Sequence, residues 1–483
     1  MALRETAAKS FLWTALESGS ASLIAFVSLV VLAKLLQPSD FGVFSVSLAT
    51  VEIAAIFTNM IFHDALVQRH VATESHFNGA FTISIVLSLF VYAVLWFAFP
   101  YLASLIQDER VSDVGRVLGL GLLVTGPTAI LAARHTREFA FRLLAMRTMA
   151  GRLGGSILGI VSAVLGFGLW SLVIQHVAIM ILSALTLLLR NPYQRLRLTT
   201  DFRPVGELLG YSIAAITALA AGFLTKRIFV LCVGSFLGTD IAGFFNLAFR
   251  LVDTVWAMLG SAVSQVLLPT LSRLQEDRRR LLSAYRASVK VASAILYPPF
   301  AALGVLAPEI IEVLFGRKWM PASPYVFMLS LLTFIQIARL SAAPLLSTIG
   351  HVKDVCRINA SILFYMVGAI ALTRLPGDFV ALAIWSGSEI LMLASLAFAL
   401  NRRFEIPIST QLGDILPPLC AALAMIASIH VVRAFTPVEW DIRLRLLEFG
   451  LTGALTYLVF LFVFGRRSID PIVGMARVLR AKE

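Results

Sequence analysis

The chain has 483 residues, 59% of them apolar and only 14% charged, with a mean hydropathy of +0.87 and a net charge of +12. Soluble domains carry roughly 25% charged and roughly 45–50% apolar residues, and a single soluble core stops growing beyond about 250–300 residues. The composition therefore excludes an ordinary soluble enzyme, a disordered chain, a collagen-like chain and a disulfide scaffold.

About fourteen stretches supply the roughly 20 apolar residues that a membrane helix needs. In chain order they are 11–36, 41–62, 79–105, 115–133, 149–168, 169–189 and 205–233. Then come 241–268, 284–306, 324–349, 357–374, 378–400, 414–433 and 443–465. The first is longer than the apolar core of a signal peptide and lacks a cleavage pattern, so it reads as a membrane helix. Gly166, Phe167 and Gly168 mark the turn that separates the fifth from the sixth. The fold class expected is all-α, a polytopic membrane protein of about fourteen helices.

The basic residues fix an orientation. Cytoplasmic loops collect Lys and Arg. With both termini inside and the helices alternating, about 26 of the 40 basic residues fall on the inner side and about 8 on the outer. Arg134, Arg137, Arg142 and Arg147 lie in one inner loop, Arg190, Arg195, Arg197 and Arg203 in another, and Arg273, Arg278, Arg279 and Arg280 in a third. This pattern accounts for the positive charge, and no nucleic-acid-binding motif competes with it. The loops are too short for a folded domain, about 15–18 residues at most against about 50 for a small domain. A phosphate-binding G-x-x-x-x-G-K-[ST] loop is absent from the sequence.

Cys232, Cys356 and Cys420 are far apart and form neither a disulfide framework nor a zinc site. His63, His70 and His76 do not have ligand spacing and read as a solvated loop. No cofactor and no metal are expected.

The helices group as two sixes and a pair. We expect an N-terminal lobe at 1–190, a basic linker at 191–204 with Pro192 and Pro204, a second lobe at 205–400, and a final segment at 401–483. Two six-helix lobes are the plan of a transporter. Residues 35–49 and 236–250 occupy matching positions in the two lobes, and each carries an Asp shortly before a Gly-x-Phe.

Several segments together resemble a known family. They are VVLAKLLQPSDFGVFSVSLA (30–49), DALVQRH (64–70), ARHTREFAFRLLAMRTMAGRLGG (133–155) and GFGLWSLVIQ (166–175). The series continues with LGTDIAGFFNLAFRL (237–251), LLPTLSRLQEDRRRLLSAY (267–285), FGRKWMPASP (315–324) and LLSTIGHVKD (345–354). In this order the chain resembles the polysaccharide transporters, the Wzx-type flippases of the multidrug/oligosaccharidyl-lipid/polysaccharide exporter superfamily. The resemblance implies two lobes. It also implies a substrate of undecaprenyl-diphosphate-linked oligosaccharide, moved across a bacterial inner membrane for exopolysaccharide or lipopolysaccharide synthesis. The partners implied are that lipid-linked oligosaccharide, membrane lipid, and polysaccharide polymerase and export proteins.

Such a substrate needs fixed cations, because its diphosphate cannot cross hydrocarbon unaided. Charges inside the membrane are costly and therefore mark sites. Arg250 lies inside helix 8, with Asn246 one turn before it and Asp253 one turn after, on one stripe. It suits either a cavity cation or a helix-locking Arg–Asp pair. Arg339, after Gln336, falls near the middle of helix 10 and needs a wet cavity or a partner. Lys226 and Arg227 in helix 7 cannot both face one direction, since neighbours differ by about 100°. Family relatives carry an acid near this place, so a cation here argues against ion coupling at that position. Arg69 suits the inner mouth or simple topology. Trp256 is the tryptophan deep enough to stack on sugar. Glu17, Glu52 and Glu389 are candidate ion-coupling acids, or neutral acids hydrogen-bonded between helices.

The expectation is a transporter rather than an enzyme, working by alternating access. The alternative is a proton- or sodium-coupled exporter of drugs or metabolites from the same superfamily. That activity needs an acidic cavity, and the second half of this chain leans basic.

Overall fold

The structure is a computed structural model. It describes residues 2–69, 71–190, 196–260, 277–348, 350–437 and 439–464, with the side chains of 2–18, 59–61, 204 and 207–220 left aside. Among the described residues the chain is helical and has no strand, so the fold is an all-α polytopic membrane protein.

The helices, in chain order, are α1 (Ala2–Leu35), α2 (Pro38–Ala55), α3 (Ile61–Gln68), α4 (Glu74–Ile106), α5 (Arg110–Gly119) and α6 (Gly121–Arg137). Next are α7 (Phe141–Val164), α8 (Trp170–Leu189), α9 (Arg203–Leu237), α10 (Thr239–Val255), α11 (Arg278–Val305) and α12 (Ala307–Leu314). The last are α13 (Ser323–Ala338), α14 (Ala342–Thr348), α15 (Val352–Thr373), α16 (Asp378–Phe404), α17 (Ile408–Phe435) and α18 (Ile442–Phe464). Among the described residues, 11 helical segments are long and apolar enough to cross a membrane. The side chains on their outer faces are apolar too: Phe97, Leu189, Phe364 and Phe398 are exposed. So large an apolar surface suits lipid rather than water.

The chain forms two compact units. Unit 1 comprises Met1–Asn246 with Ile370–Asp378, and unit 2 comprises Leu247–Ala369 with Phe379–Glu483.

Unit 1 is held by small residues. Gly151, Gly155 and Gly159 recur every four positions and so line one face of α7. A Cβ at Gly155 would lie 2.8 Å from the Gln175 carbonyl oxygen, and one at Gly159 would lie 2.6 Å from the Gln175 Cβ. Lipid tails are as apolar as the helices, so contact of this kind and interhelical hydrogen bonds replace the hydrophobic effect as glue. Gln175 supplies such a bond as well, its Nε2 donating to Ser28 Oγ of α1 at 2.6 Å.

The repeated segments meet in unit 1. A Cβ at Gly42 would overlap the Thr239 carbonyl oxygen, and a Cβ at Gly243 would overlap the Pro38 carbonyl oxygen. Gly42 and Gly243 lie 201 positions apart, as do Pro38 and Thr239, so the contact is reciprocal. It brings Asp108 beside Thr239, whose Oγ1 donates to Oδ2 at 3.4 Å. Arg110 donates to Asp108 from Nε at 3.0 Å and from Nη2 at 2.8 Å, and it reaches Asp40 at 3.4 Å. Burial raises the Asp108 pKa, but hydrogen bonds and charge from Arg110 outweigh it and hold the carboxyl below its ordinary value.

Two π-helical turns lie at nearly matching places in the two copies, 200 positions apart. They occupy Ile56–Met60 after α2 and Trp256–Gly260 after α10. Such turns interrupt α-helices mostly at functional places.

Unit 2 packs around α11. The Tyr297 ring stacks on Phe334 of α13 at 4.6 Å, and Tyr457 of α18 donates to the Ala294 carbonyl at 2.9 Å. Arg433 of α17 reaches Glu309 at 2.8 Å and the Val305 carbonyl at 2.7 Å.

Candidate functional site

In unit 1, Glu52 on α2 and Arg227 on α9 face each other. Arg227 Nε lies 2.6 Å from Oε2, and Nη2 donates to Oε1 at 3.2 Å. The pair is a close ion pair with one charge-assisted hydrogen bond, from Nη2. Arg227 also lies over the Phe223 ring at 4.9 Å. The candidate coupling acid and the candidate cation are therefore one element. Lys226, next in the chain, is half-buried.

In unit 2 the same thing happens again. Glu389 on α16 is buried and takes two donors. Arg339 Nη2 donates to Oε2 at 2.6 Å, and Gln336 Nε2 donates to Oε1 at 3.0 Å. Gln336 lies one turn before Arg339, so both reach one carboxylate. Arg339 Nε is buried and has no hydrogen-bond partner among the described residues.

The backbone explains the position of Arg339. The expected mid-helix site is in fact a break: α13 stops at Ala338, and residues 339–341 form a turn before α14 begins. Pro344 is the cause. It has no N–H to donate, and its ring clashes with the carbonyl four residues back, here Leu340. The cation stands at the C-terminal end of α13, where the helix dipole favours positive charge. Broken helices of this kind line binding sites in transporters.

Arg250 on α10 is half-buried, and its carbonyl accepts from Thr254 Oγ1 at 2.6 Å. Asp253 is exposed. Asn246 Oδ1 is buried and lacks a hydrogen-bond partner among the described residues. Glu52 and Asp253 are 201 positions apart, so the repeat places an acid at both equivalent points. Trp256 opens the π-helical turn, its ring 6.2 Å from that of Phe300.

Arg69 fastens its own loop. Its Nε donates to the Val71 carbonyl at 3.0 Å, and its carbonyl accepts from Arg137 Nη1. Glu17 lies on α1, and its side chain is outside the described residues. His70 is outside them too.

A model of the polysaccharide biosynthesis protein family matches residues 31–324. The chain belongs to that family. It is 26% identical to the succinoglycan biosynthesis transport protein ExoT of Rhizobium meliloti (strain 1021), over 99% of this chain and 97% of that one. It is 21% identical to the lipopolysaccharide biosynthesis protein WzxC of Escherichia coli (strain K12), over 77% of this chain and 76% of that one. The fold is similar to that of the lipid II flippase MurJ in its inward closed conformation. That match has a TM-score of 0.80 at 15% identity and covers 95% of this chain and 100% of that one. It is also similar to an inward-facing multidrug resistance MATE family transporter, with a TM-score of 0.62 at 15% identity over 81% and 95%.

This family member also has a cavity of about 620 Å³ in unit 1, with a mixed lining that is more apolar than polar, which sequence reasoning missed. Thr125, Thr128, Thr148 and Ser183 line it, with Arg147 and His63 at its wall. Arg147 reads in the sequence as a topology charge and His63 as a loop residue. The structure puts His63 on α3, half-buried with Nδ1 2.8 Å from Asp64, and puts His76, itself buried, in the first turn of α4. The threonines at 125 and 128 share a face of α6, and that spacing was the available signal.

Proposed function

We propose that this chain is a flippase for a lipid-linked oligosaccharide of the undecaprenyl-diphosphate class. In this reading it moves the headgroup across the bacterial inner membrane by alternating access, for surface or exported polysaccharide. The lipid tail stays in the bilayer while the diphosphate and sugars are accepted on the inner side and released on the outer. Both termini are cytoplasmic in this reading, and polymerase and export proteins take up the product. Family membership and the likeness to ExoT along nearly the whole of both chains support the substrate class.

The observation that carries the mechanism is Arg339. Glu389 holds its side chain through Nη2, Gln336 holds Glu389 in turn, and the arginine side chain keeps a 20% exposed surface. A diphosphate oxygen can accept from the exposed part of this guanidinium, and a charge-assisted bond there is stronger than a neutral one. We assign the same role to Arg250, with Asn246 beside it. The Glu52–Arg227 pair supports α9 beside Lys226. We assign Trp256 to sugar contact, as aromatic faces suit sugar rings. Arg69 stands with the inner-face charges that set topology.

Deletion of the gene in its host tests the reading. The expected result is loss of surface polymer, with complete repeat units trapped on lipid carriers at the inner leaflet. Unchanged polymer with altered resistance to cationic compounds would replace this reading with a drug or metabolite exporter.

A further inference from the structure

Unit 2 contains a second cavity, lined by none of the groups above, and it too measures about 620 Å³. Its wall on α11 carries Arg279, Arg286 and Lys290, with Leu282 and Ala287 between them. The positions 279, 286 and 290 fall on one stripe of a helix and span about 16 Å along it. The opposite wall is the turn from α16 to α17, with Phe404, Ile406 and Pro407. The cavity thus has a cationic side and an apolar side.

The cations are held in place. Asp414 of α17 is buried and takes Arg286 Nε at 2.7 Å, Arg286 Nη2 at 2.8 Å and Lys290 Nζ at 3.2 Å. Asp414 does not line the cavity, and it fixes the two cations from behind. Lys290 has three donors and spends one on this bond. No acid among the described residues pairs with Arg279. Glu405 is the one acid on the cavity wall. Three cations against Glu405 and Asp414 leave an excess of one positive charge, with Arg286 and Lys290 oriented before any ligand arrives.

The turn between α16 and α17 and the start of α11, which bound this cavity, belong to the inner side by the positive-inside pattern. Basic pockets between membrane helices on that side bind anionic lipid headgroups. A soluble anion needs no apolar wall, and a neutral lipid needs no arginine. We propose that this cavity is a binding site for a phosphate-bearing lipid of the inner leaflet. Its phosphate meets Arg279, Lys290 and the remaining donors of Arg286, and its glycerol or isoprenoid end lies against Phe404 and Pro407. Phospholipid and prenyl phosphate share this chemistry.

The site is tested by native mass spectrometry of the full chain in detergent, delipidated and then offered one probe at a time. The probes are phosphatidylglycerol, a polyprenyl phosphate, phosphatidylcholine and inorganic phosphate. Arg279 is exposed and outside the Asp414 cluster, so Arg279→Gln keeps the fold. It should weaken the anionic lipid about fivefold, the factor that corresponds to about 1 kcal/mol per Lys or Arg. Glu405→Gln should tighten the same lipid by a similar factor. Preference for phosphatidylglycerol identifies a bilayer lipid, and preference for polyprenyl phosphate identifies the carrier. Equal retention of phosphatidylcholine, occupancy by inorganic phosphate alone, or no change in either variant would overturn the proposal. Lipid binding here does not depend on transport, so its failure leaves the flippase reading standing.

Discussion

Replacing Arg339 with alanine should separate stability from transport. The Arg339 side chain is 20% exposed and that of Glu389 9%, with 2.6 Å between them. Removing the arginine leaves Glu389 buried with Gln336 as its remaining donor. Breaking a buried pair from one side costs about 3–5 kcal/mol, because the abandoned charge stays desolvated. That is a large share of the roughly 5–15 kcal/mol that holds a typical domain together. Replacing both partners with apolar residues of similar size is often neutral. Thermal unfolding of the purified chain should therefore fall steeply for Arg339→Ala and recover in the double variant Arg339→Met with Glu389→Leu. Polymer export in a deletion host should fail in both. Restored stability with restored export would show that the pair is only a helix lock, and the assignment of Arg339 to the diphosphate would be wrong.

Other outcomes follow from the same geometry. Arg227→Ala should destabilise unit 1 by about 1.5–3 kcal/mol, the range for hydrogen bonds to charged groups, read as a lower unfolding temperature that Glu52→Gln in the same chain partly restores. Asp108 has a lowered pKa when folded, so it binds protons less readily than in the unfolded chain. Its contribution is complete above the ordinary carboxylate value and is lost as the pH falls through the folded value, and Asp108→Asn should flatten that acid-side loss. Gly155→Leu and Gly243→Leu should each abolish folded protein in detergent size-exclusion chromatography, since each side chain would enter a neighbouring backbone. Gly166→Ala, at a positive φ with open space around it, should cost far less.

The fold was legible because a bilayer allows few alternatives. Among the described residues the apolar stretches are helical, with 11 segments long enough to span rather than a confirmed fourteen, and the turn at Gly166–Gly168 divides α7 from α8 where the two glycines suggest. The site was legible in part. Glu52, Arg227, Arg339 and Glu389 stand out as intramembrane charges, but helical spacing reveals only neighbours on the same helix. Gln336 and Arg339 share a stripe and can be joined from sequence. Glu389 lies 50 positions on, and no periodicity connects it to Arg339. Pro344 signalled the break, but its effect falls several residues earlier, so Arg339 looked central in a continuous helix. Arg250 and Asp253 share a stripe, yet a stripe does not specify depth, and Asp253 is exposed. The cavity beside Arg147 needed four helices to be assembled and had no linear trace beyond its hydroxyl spacing.

The most direct measurement is transfer of a lipid-linked oligosaccharide in sealed proteoliposomes. The purified chain is reconstituted with the substrate on one leaflet, and a membrane-impermeant reagent reads the sugar on the other. The account predicts protein-dependent transfer that is lost in the stable double variant at Arg339 and Glu389. Absence of transfer by a folded wild-type chain, or transfer undiminished in that variant, would contradict it.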